Sequence, residues 1–198
     1  MIVSVTRIGP EDRGRRMSLD EFAHAEGRPG YLYELARGEV RVVETPGLPH
    51  GLIVQAVHRR IHSYQDRRPG RIFYTATGSG CALRLPGMQS ERHPDVAVYL
   101  TAPADPVNPW DAWIPDIVVE VVSAGNEAHE RDYRDKREDY LAAGVREYWI
   151  VDPVTRSLLV LRRTGDRWRE IRPDATAGYS TGLLPEFELD VAGLFVAP

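Results

Sequence analysis

The sequence has little that would define a disulfide framework, a metal cluster or a membrane anchor. Its 198 residues hold one cysteine, Cys81, which excludes an internal disulfide and any thiolate cluster for zinc or iron–sulfur. A reducing cytoplasm is the expected compartment. The longest apolar runs, such as Ile117-Val118-Val119, span a few residues, far short of the roughly 20 that cross a bilayer. The start, MIVSVTRIGPEDRGRR, lacks the order of basic, apolar and small-residue regions of a signal peptide. Neither GxxxxGK[ST] nor GxGxxG occurs, so no nucleotide cofactor is expected. No charge sign dominates: 25 Lys and Arg stand against 29 Asp and Glu, a net charge of -4, so bulk charge does not announce a nucleic-acid binder. What remains, 42% hydrophobic and 27% charged residues over a length suited to one domain, is ordinary globular composition and excludes wholesale disorder.

Lysine is scarcer still in relative terms. Of the 25 basic residues only Lys136 is a lysine. A guanidinium serves well for solvation, ion pairs and phosphate contacts, and poorly where a compact ammonium with a movable pKa is needed. The position where arginine was not used is therefore a candidate for chemistry; survival of one lysine by chance is the alternative. Charge is also uneven. From His50 to Ile72 five arginines, Arg59 and Arg60 among them, face Asp66 alone, and from Arg156 to Arg172 six arginines face Asp166 and Glu170. Such stretches are either solvated faces or phosphate-attracting patches.

The periodicities describe a mixed α/β chain: a central mixed β-sheet flanked by helices, with N-terminal and C-terminal β-hairpins added. Met17–His24 reads as a short helix with Ser18 and Glu21 at capping-box spacing. Tyr31–Leu35 and Glu39–Val43 read as a hairpin about Arg37-Gly38. Pro46–Pro49 breaks the chain, and His50–Tyr64 has helical apolar spacing. Strands are expected at Arg71–Thr75 and Cys81–Leu85, around a Gly-Ser-Gly turn, and at Pro94–Leu100. A proline-rich loop, Thr101–Pro115, carries Trp110 and Trp113, as an interaction surface or as a cover over the core. Asp116–Val122 reads as a buried strand, Glu130–Ala143 as a charged helix stopped by Gly144, and Glu147–Val151 as a strand. Leu158–Arg162 and Arg167–Ile171 form a second hairpin, and Val191–Val196 is a closing apolar segment. Residues 1–16 are expected as an N-terminal extension and 17–198 as a single domain.

Two acids stand out. Asp95 opens the strand PDVAVYL, and Glu120 is embedded among valines in DIVVEVV. A carboxylate in an apolar strand is costly unless paired or bound to a cation. Neighbouring strands can bring the two together at one sheet edge, where a hard divalent ion such as Mg²⁺ relieves their repulsion. Lys136 follows Glu120 by sixteen residues on a helix that can pack back across the sheet. Acids for an ion and a nearby ammonium are what metal-dependent phosphodiester hydrolysis requires. The plainer alternatives are a turn residue for Asp95, an arginine partner for Glu120, and an intrahelical pair of Lys136 with Asp132 or Asp139. A Schiff-base role for Lys136 is opposed by Asp132, Asp135 and Asp139, which favour the charged ammonium.

These blocks carry a resemblance. YLYELARGEV (Tyr31–Val40), PHG (Pro49–Gly51), RHPDVAVY (Arg92–Tyr99), PDIVVEVVS (Pro115–Ser123), KREDYLAAGVREYWIVDP (Lys136–Pro153) and LPEFELDVAGLF (Leu184–Phe195) resemble, in order and spacing, the Uma2 family of endonucleases within the PD-(D/E)XK restriction-endonuclease-like superfamily. The resemblance implies a restriction-endonuclease-like core, with Asp95 and Glu120 as metal ligands and the Val121 carbonyl completing the site. The usual lysine two residues after the second acid is replaced by Val122, and Lys136 matches the position to which the family has moved it. Glu34 and His50 also match family positions, Glu34 to bind a second ion or position water, or else an exposed residue beside Arg37, and His50 to contact phosphate or act as acid or base, or else a helix-start residue. The remaining histidines are assigned to surface or packing roles; His58 and His62 lie at i, i+4 but lack the glutamate of HExxH.

The expected function is Mg²⁺- or Mn²⁺-dependent cleavage of DNA, with Arg59 and Arg60 on the phosphate backbone and a homodimer to reach both strands. The alternative is a non-catalytic nucleic-acid- or protein-binding module of the same fold, favoured by the negative net charge and the absence of a separate recognition domain.

Overall fold

The computed structural model describes residues 5–43, 47–174, 176 and 178–196. The first four residues of the expected extension and Pro46 of the expected chain break lie outside them. In chain order the strands are β1 (Arg7–Ile8), β2 (Glu26–Gly27), β3 (Leu32–Ala36), β4 (Glu39–Val43), β5 (Tyr74–Ala76), β6 (Leu83–Leu85), β7 (Ser90–Arg92), β8 (Val96–Tyr99), β9 (Ile117–Val121), β10 (Glu147–Asp152), β11 (Ser157–Thr164) and β12 (Arg167–Ile171). The helices are α1 (Leu19–Ala23), α2 (Leu48–Arg67), α3 (Asn126–Glu130) and α4 (Lys136–Ala143).

The central sheet has six strands in the order β12-β11-β10-β9-β8-β5. It is mixed, because β9 and β10 run parallel and every other pair is antiparallel. A parallel pair needs a crossover, and the α3–α4 segment supplies it. Side chains alternate across the sheet. Val119 and Val121 of β9 and Trp149 and Val151 of β10 face α2, which buries Ile53, Val57, Ile61 and Tyr64 at helical spacing, and the C-terminal Leu184, Phe187 and Leu189. Val118 and Val122, with Tyr148 and Ile150, face the other way, onto Tyr140 of α4 and onto Leu83 and Leu85 of β6. Glu120 shares the parity of Val118 and Val122 and so looks into this second layer. A four-stranded antiparallel sheet, β4-β3-β7-β6, closes over it. No helix among the described residues is long and apolar enough to cross a membrane.

The expected architecture is the observed one, with local differences. Ser18 and Glu21 form the capping box of α1, and both hairpins form about their expected turns. The segments read as Arg71–Thr75 and Cys81–Leu85 form the shorter β5 and β6, but these belong to different sheets. The reason is the turn between them: the Gly78 N–H donates to the Pro94 carbonyl at 2.9 Å, turning the chain away from a direct hairpin. The expected helix Glu130–Ala143 begins earlier, at Asn126, and its middle, Arg131–Asp135, is a π turn between α3 and α4. Strand β7, Ser-Glu-Arg, carries no hydrophobic pattern and was not expected as a strand; it pairs with both β3 and β6. Trp110 and Trp113 lie half-buried over Tyr99, with Trp113 and Tyr99 ring centres 3.9 Å apart.

Candidate active site

Each site residue is delivered by a different element. In the antiparallel β8–β9 register Val96 faces Val119, so one step outward sets Asp95 opposite Glu120. Asp95 Oδ2 accepts the Val121 N–H at 2.7 Å, and His50 Nε2, in the first turn of α2, lies 3.1 Å from the same oxygen. From the opposing layer the π turn brings Lys136 down onto Glu120. Lys136 Nζ is 2.8 Å from Glu120 Oε1 and 3.6 Å from both Glu34 Oε1 and Asp132 Oδ1. Glu34, on β3, is held in turn by Arg92 Nη1 at 3.0 Å and by the His93 N–H at 3.1 Å. Arg92 spends its other donors on Asp139 Oδ2, at 2.9 and 2.6 Å. Glu34, Arg92, Glu120, Asp132, Lys136 and Asp139 are each no more than 3% exposed. A π turn adds a residue to the helical circuit and often marks a functional site; here it sets the side chains of Asp132 and Lys136 toward the sheet.

Burial and charge compete at each group. For Lys136 burial alone would depress the pKa, but Glu120 first, then Glu34 and Asp132, more than offset it, so the side chain stays an ammonium. Glu34 is pushed up by burial and pulled down harder by Lys136 and Arg92, to about 2. Glu120 goes the other way: burial, with Asp95, Asp132 and Glu34, outweighs the pull of Lys136 and raises it to about 7. Burial lowers the His50 pKa, and its contact with Asp95 raises it more. Glu120 Oε1 takes both Lys136 and the Tyr140 hydroxyl, while no hydrogen bond from the described residues reaches Oε2. The Glu120–Asp95 pair therefore offers hard oxygen donors under mutual repulsion, the condition a divalent cation relieves. Among the described residues no group of three or more His, Cys, Asp or Glu is arranged to hold a metal. A cation here would take two carboxylates and a backbone carbonyl, with water on its other positions, which fits an ion that keeps much of its hydration.

The family model described as "Putative restriction endonuclease", Uma2, matches residues 19–192. The chain belongs to the Uma2 family. A crystal structure of "a putative nuclease belonging to DUF820" from Anabaena variabilis ATCC 29413 shares the fold, with a TM-score of 0.68, 17% sequence identity, and coverage of 91% of this chain and 99% of that one. The search of curated proteins found no match.

In this Uma2 chain the residues singled out by sequence fall into two groups. Asp95, Glu120, Lys136, Glu34 and His50 converge, and the Val121 backbone lies beside Asp95. Glu34 is buried and ion-paired rather than exposed beside Arg37. Arg59 and Arg60 do not join this cluster. Both are exposed on α2, nine and ten residues beyond His50, and Arg60 Nε donates to the Glu188 carbonyl at 2.8 Å. Asp132 does pair with Lys136 within the helix, whereas Asp139 is taken by Arg92. Sequence reasoning gave no role to Arg92 or Tyr140. The signal for Arg92 was present: an arginine two residues before Pro94-Asp95, inside a family block.

Proposed function

We propose that this chain is a metal-dependent endonuclease hydrolysing phosphodiester bonds in DNA, with Asp95, Glu120 and the Val121 carbonyl holding Mg²⁺ or Mn²⁺ and Lys136 beside the scissile phosphate. Membership of the Uma2 family supports nuclease activity as a class. The observation that carries the finer reading is the burial of the chain's single ammonium among carboxylates, 2.8 Å from Glu120. A bound divalent ion supplies Lewis-acid stabilisation of phosphoryl oxygens and acidifies the attacking water. Lys136, held protonated, acts as hydrogen-bond donor and positive charge for the developing anion, and not as a proton acceptor. Glu34 and Asp132 aim its amine, and Arg92 fixes Glu34. His50 orients Asp95 through Nε2, and that contact raises the imidazole pKa above its ordinary value despite burial. Arg59 and Arg60 contact the DNA backbone at a distance from the cut, and a homodimer brings two sites to the two strands.

The test is nicking of supercoiled plasmid with Mg²⁺ or Mn²⁺ by the wild type, Lys136→Ala and Asp95→Ala. Each substitution is expected to lower the rate by about a hundredfold or more. Equal rates in all three reject the assignment. The reading as a non-catalytic binding module draws on one observation: Lys136 and Tyr140 already satisfy Glu120 Oε1. That reading expects no calorimetric uptake of Mn²⁺ through Asp95 and Glu120.

A further inference from the structure

A second constellation lies on α2, away from the carboxylates. His58 and His62 stand one helical turn apart, and their Nε2 atoms are 2.9 Å from each other. Their rings are nearly perpendicular, at 77°, with centres 4.2 Å apart. Two imidazoles aligned head-on along an N–H···N bond would hold their ring centres about 5 Å apart. The shorter observed separation means that at least one ring leans off the line joining the two nitrogens. The pair is thus one small ring movement from directing both Nε2 atoms at a shared ion.

The spacing also selects among ions. Two nitrogens bound at about 2.0–2.1 Å and at a right angle sit about 2.9 Å apart, whereas a tetrahedral angle spreads them to about 3.3 Å. The 2.9 Å spacing, held here by an N–H···N bond, equals that of the right angle, so a tetragonal ion fits with the least movement of the two rings. We propose that His58 and His62 form a bis-imidazole site for a tetragonal late first-row divalent ion, Cu²⁺ or Ni²⁺, with water at the remaining positions. The site is distinct from the oxygen-donor pair. His58 lies eight residues along α2 from His50, about 12 Å at 1.5 Å per residue. Its donor chemistry differs as well, because imidazole suits copper and nickel while carboxylate and carbonyl suit magnesium and manganese. The inference stands independently of the nuclease reading.

The experiment is calorimetric titration of the tag-free full chain with Ni²⁺, comparing wild type, His62→Gln, His24→Gln and Asp95→Asn. His62 is exposed, so His62→Gln should keep the fold, which far-UV circular dichroism checks. In Asp95→Asn, where the oxygen-donor pair is weakened, one Ni²⁺ is expected to remain on His58 and His62, with the affinity that this site shows in the wild type and in His24→Gln. His62→Gln is expected to bind at least about tenfold more weakly. Absence of wild-type binding up to millimolar Ni²⁺, unchanged binding by His62→Gln, or loss of binding in Asp95→Asn would each overturn the proposal.

Discussion

Glu120 and Glu147 are buried glutamates on neighbouring parallel strands, at opposite ends of the pair and on opposite faces of the sheet. Glu147 is saturated. Its Oε1 accepts from Arg162 Nε and the Thr181 hydroxyl, both at 2.9 Å, and its Oε2 accepts from Trp149 Nε1 at 2.9 Å and the Tyr179 hydroxyl at 2.8 Å. Glu120 has both its contacts on one oxygen, and carboxylates crowd it. The difference separates two uses of a buried acid. One with every lone pair matched ties elements together, here β10, β11 and the C-terminal segment. One left partly unmatched and raised in pKa is a reservoir of unfavourable electrostatics that a ligand can relieve.

The contrast makes its strongest prediction on stability. Glu147→Ala leaves donors on Trp149, Tyr179 and Thr181 without their acceptor, while the half-exposed Arg162 keeps the Tyr179 hydroxyl, so it should cost about 3–5 kcal/mol. Glu120→Ala should cost markedly less, because Lys136 retains Glu34 and Asp132 and a raised carboxyl is removed. Guanidinium unfolding of the two variants measures both. Equal costs, or a larger one for Glu120→Ala, would break the distinction.

Within the Glu120 cluster itself, Glu34 gives a second contrast, as the carboxyl that its cations win. Its folded value of about 2 lies below the ordinary glutamate value of 4.5. A depressed carboxyl adds stability above its unfolded pKa and loses it as pH falls through the folded one. Glu34 should therefore contribute about 3 kcal/mol at neutral pH, lost between roughly pH 4.5 and 2. The wild type should exceed Glu34→Gln in urea-unfolding free energy at pH 7, with the gap closing toward pH 2. A gap that stays constant with pH would show that Glu34 acts through packing alone.

What the sequence discloses and hides follows the same physics. Signals carried within one segment are legible: the Ser18–Glu21 capping box, Gly144 in the left-handed conformation after α4, the alternating valines that turn Glu120 to one face, and the solitary lysine. The partners of buried charges are chosen by packing between distant segments and leave no local trace. Asp132 and Asp139 look equivalent around Lys136 at i−4 and i+3, yet one pairs with it and the other with Arg92, forty-seven residues earlier in the chain. Strand β7 is hidden for the same reason. Its Ser90, Glu91 and Arg92 are buried because their polar groups find partners in other elements, so hydrophobic alternation never appears. The π turn is hidden because its residues, RDYRD, are ordinary helix surface by composition.

The smallest effect tests how finely the unmatched acid is tuned. The Tyr140 hydroxyl, its own pKa raised far above 10 by burial and by Glu120, donates to Glu120 Oε1. A donated hydrogen bond favours the ionised carboxyl. Tyr140→Phe removes it at a cost of about 1 kcal/mol in stability and should raise Glu120 further above about 7. If the ionised form of Glu120 is what binds the cation, the acidic limb of the Mn²⁺-dependent rate moves to higher pH by less than about one unit, while the rate on the alkaline plateau stays near the wild-type value. Mn²⁺ affinity measured by calorimetry across pH should move in step with the rate. A limb that stays in place while affinity is unchanged would mean that another group sets the pH dependence, and that the raised acid is a passenger in the buried network.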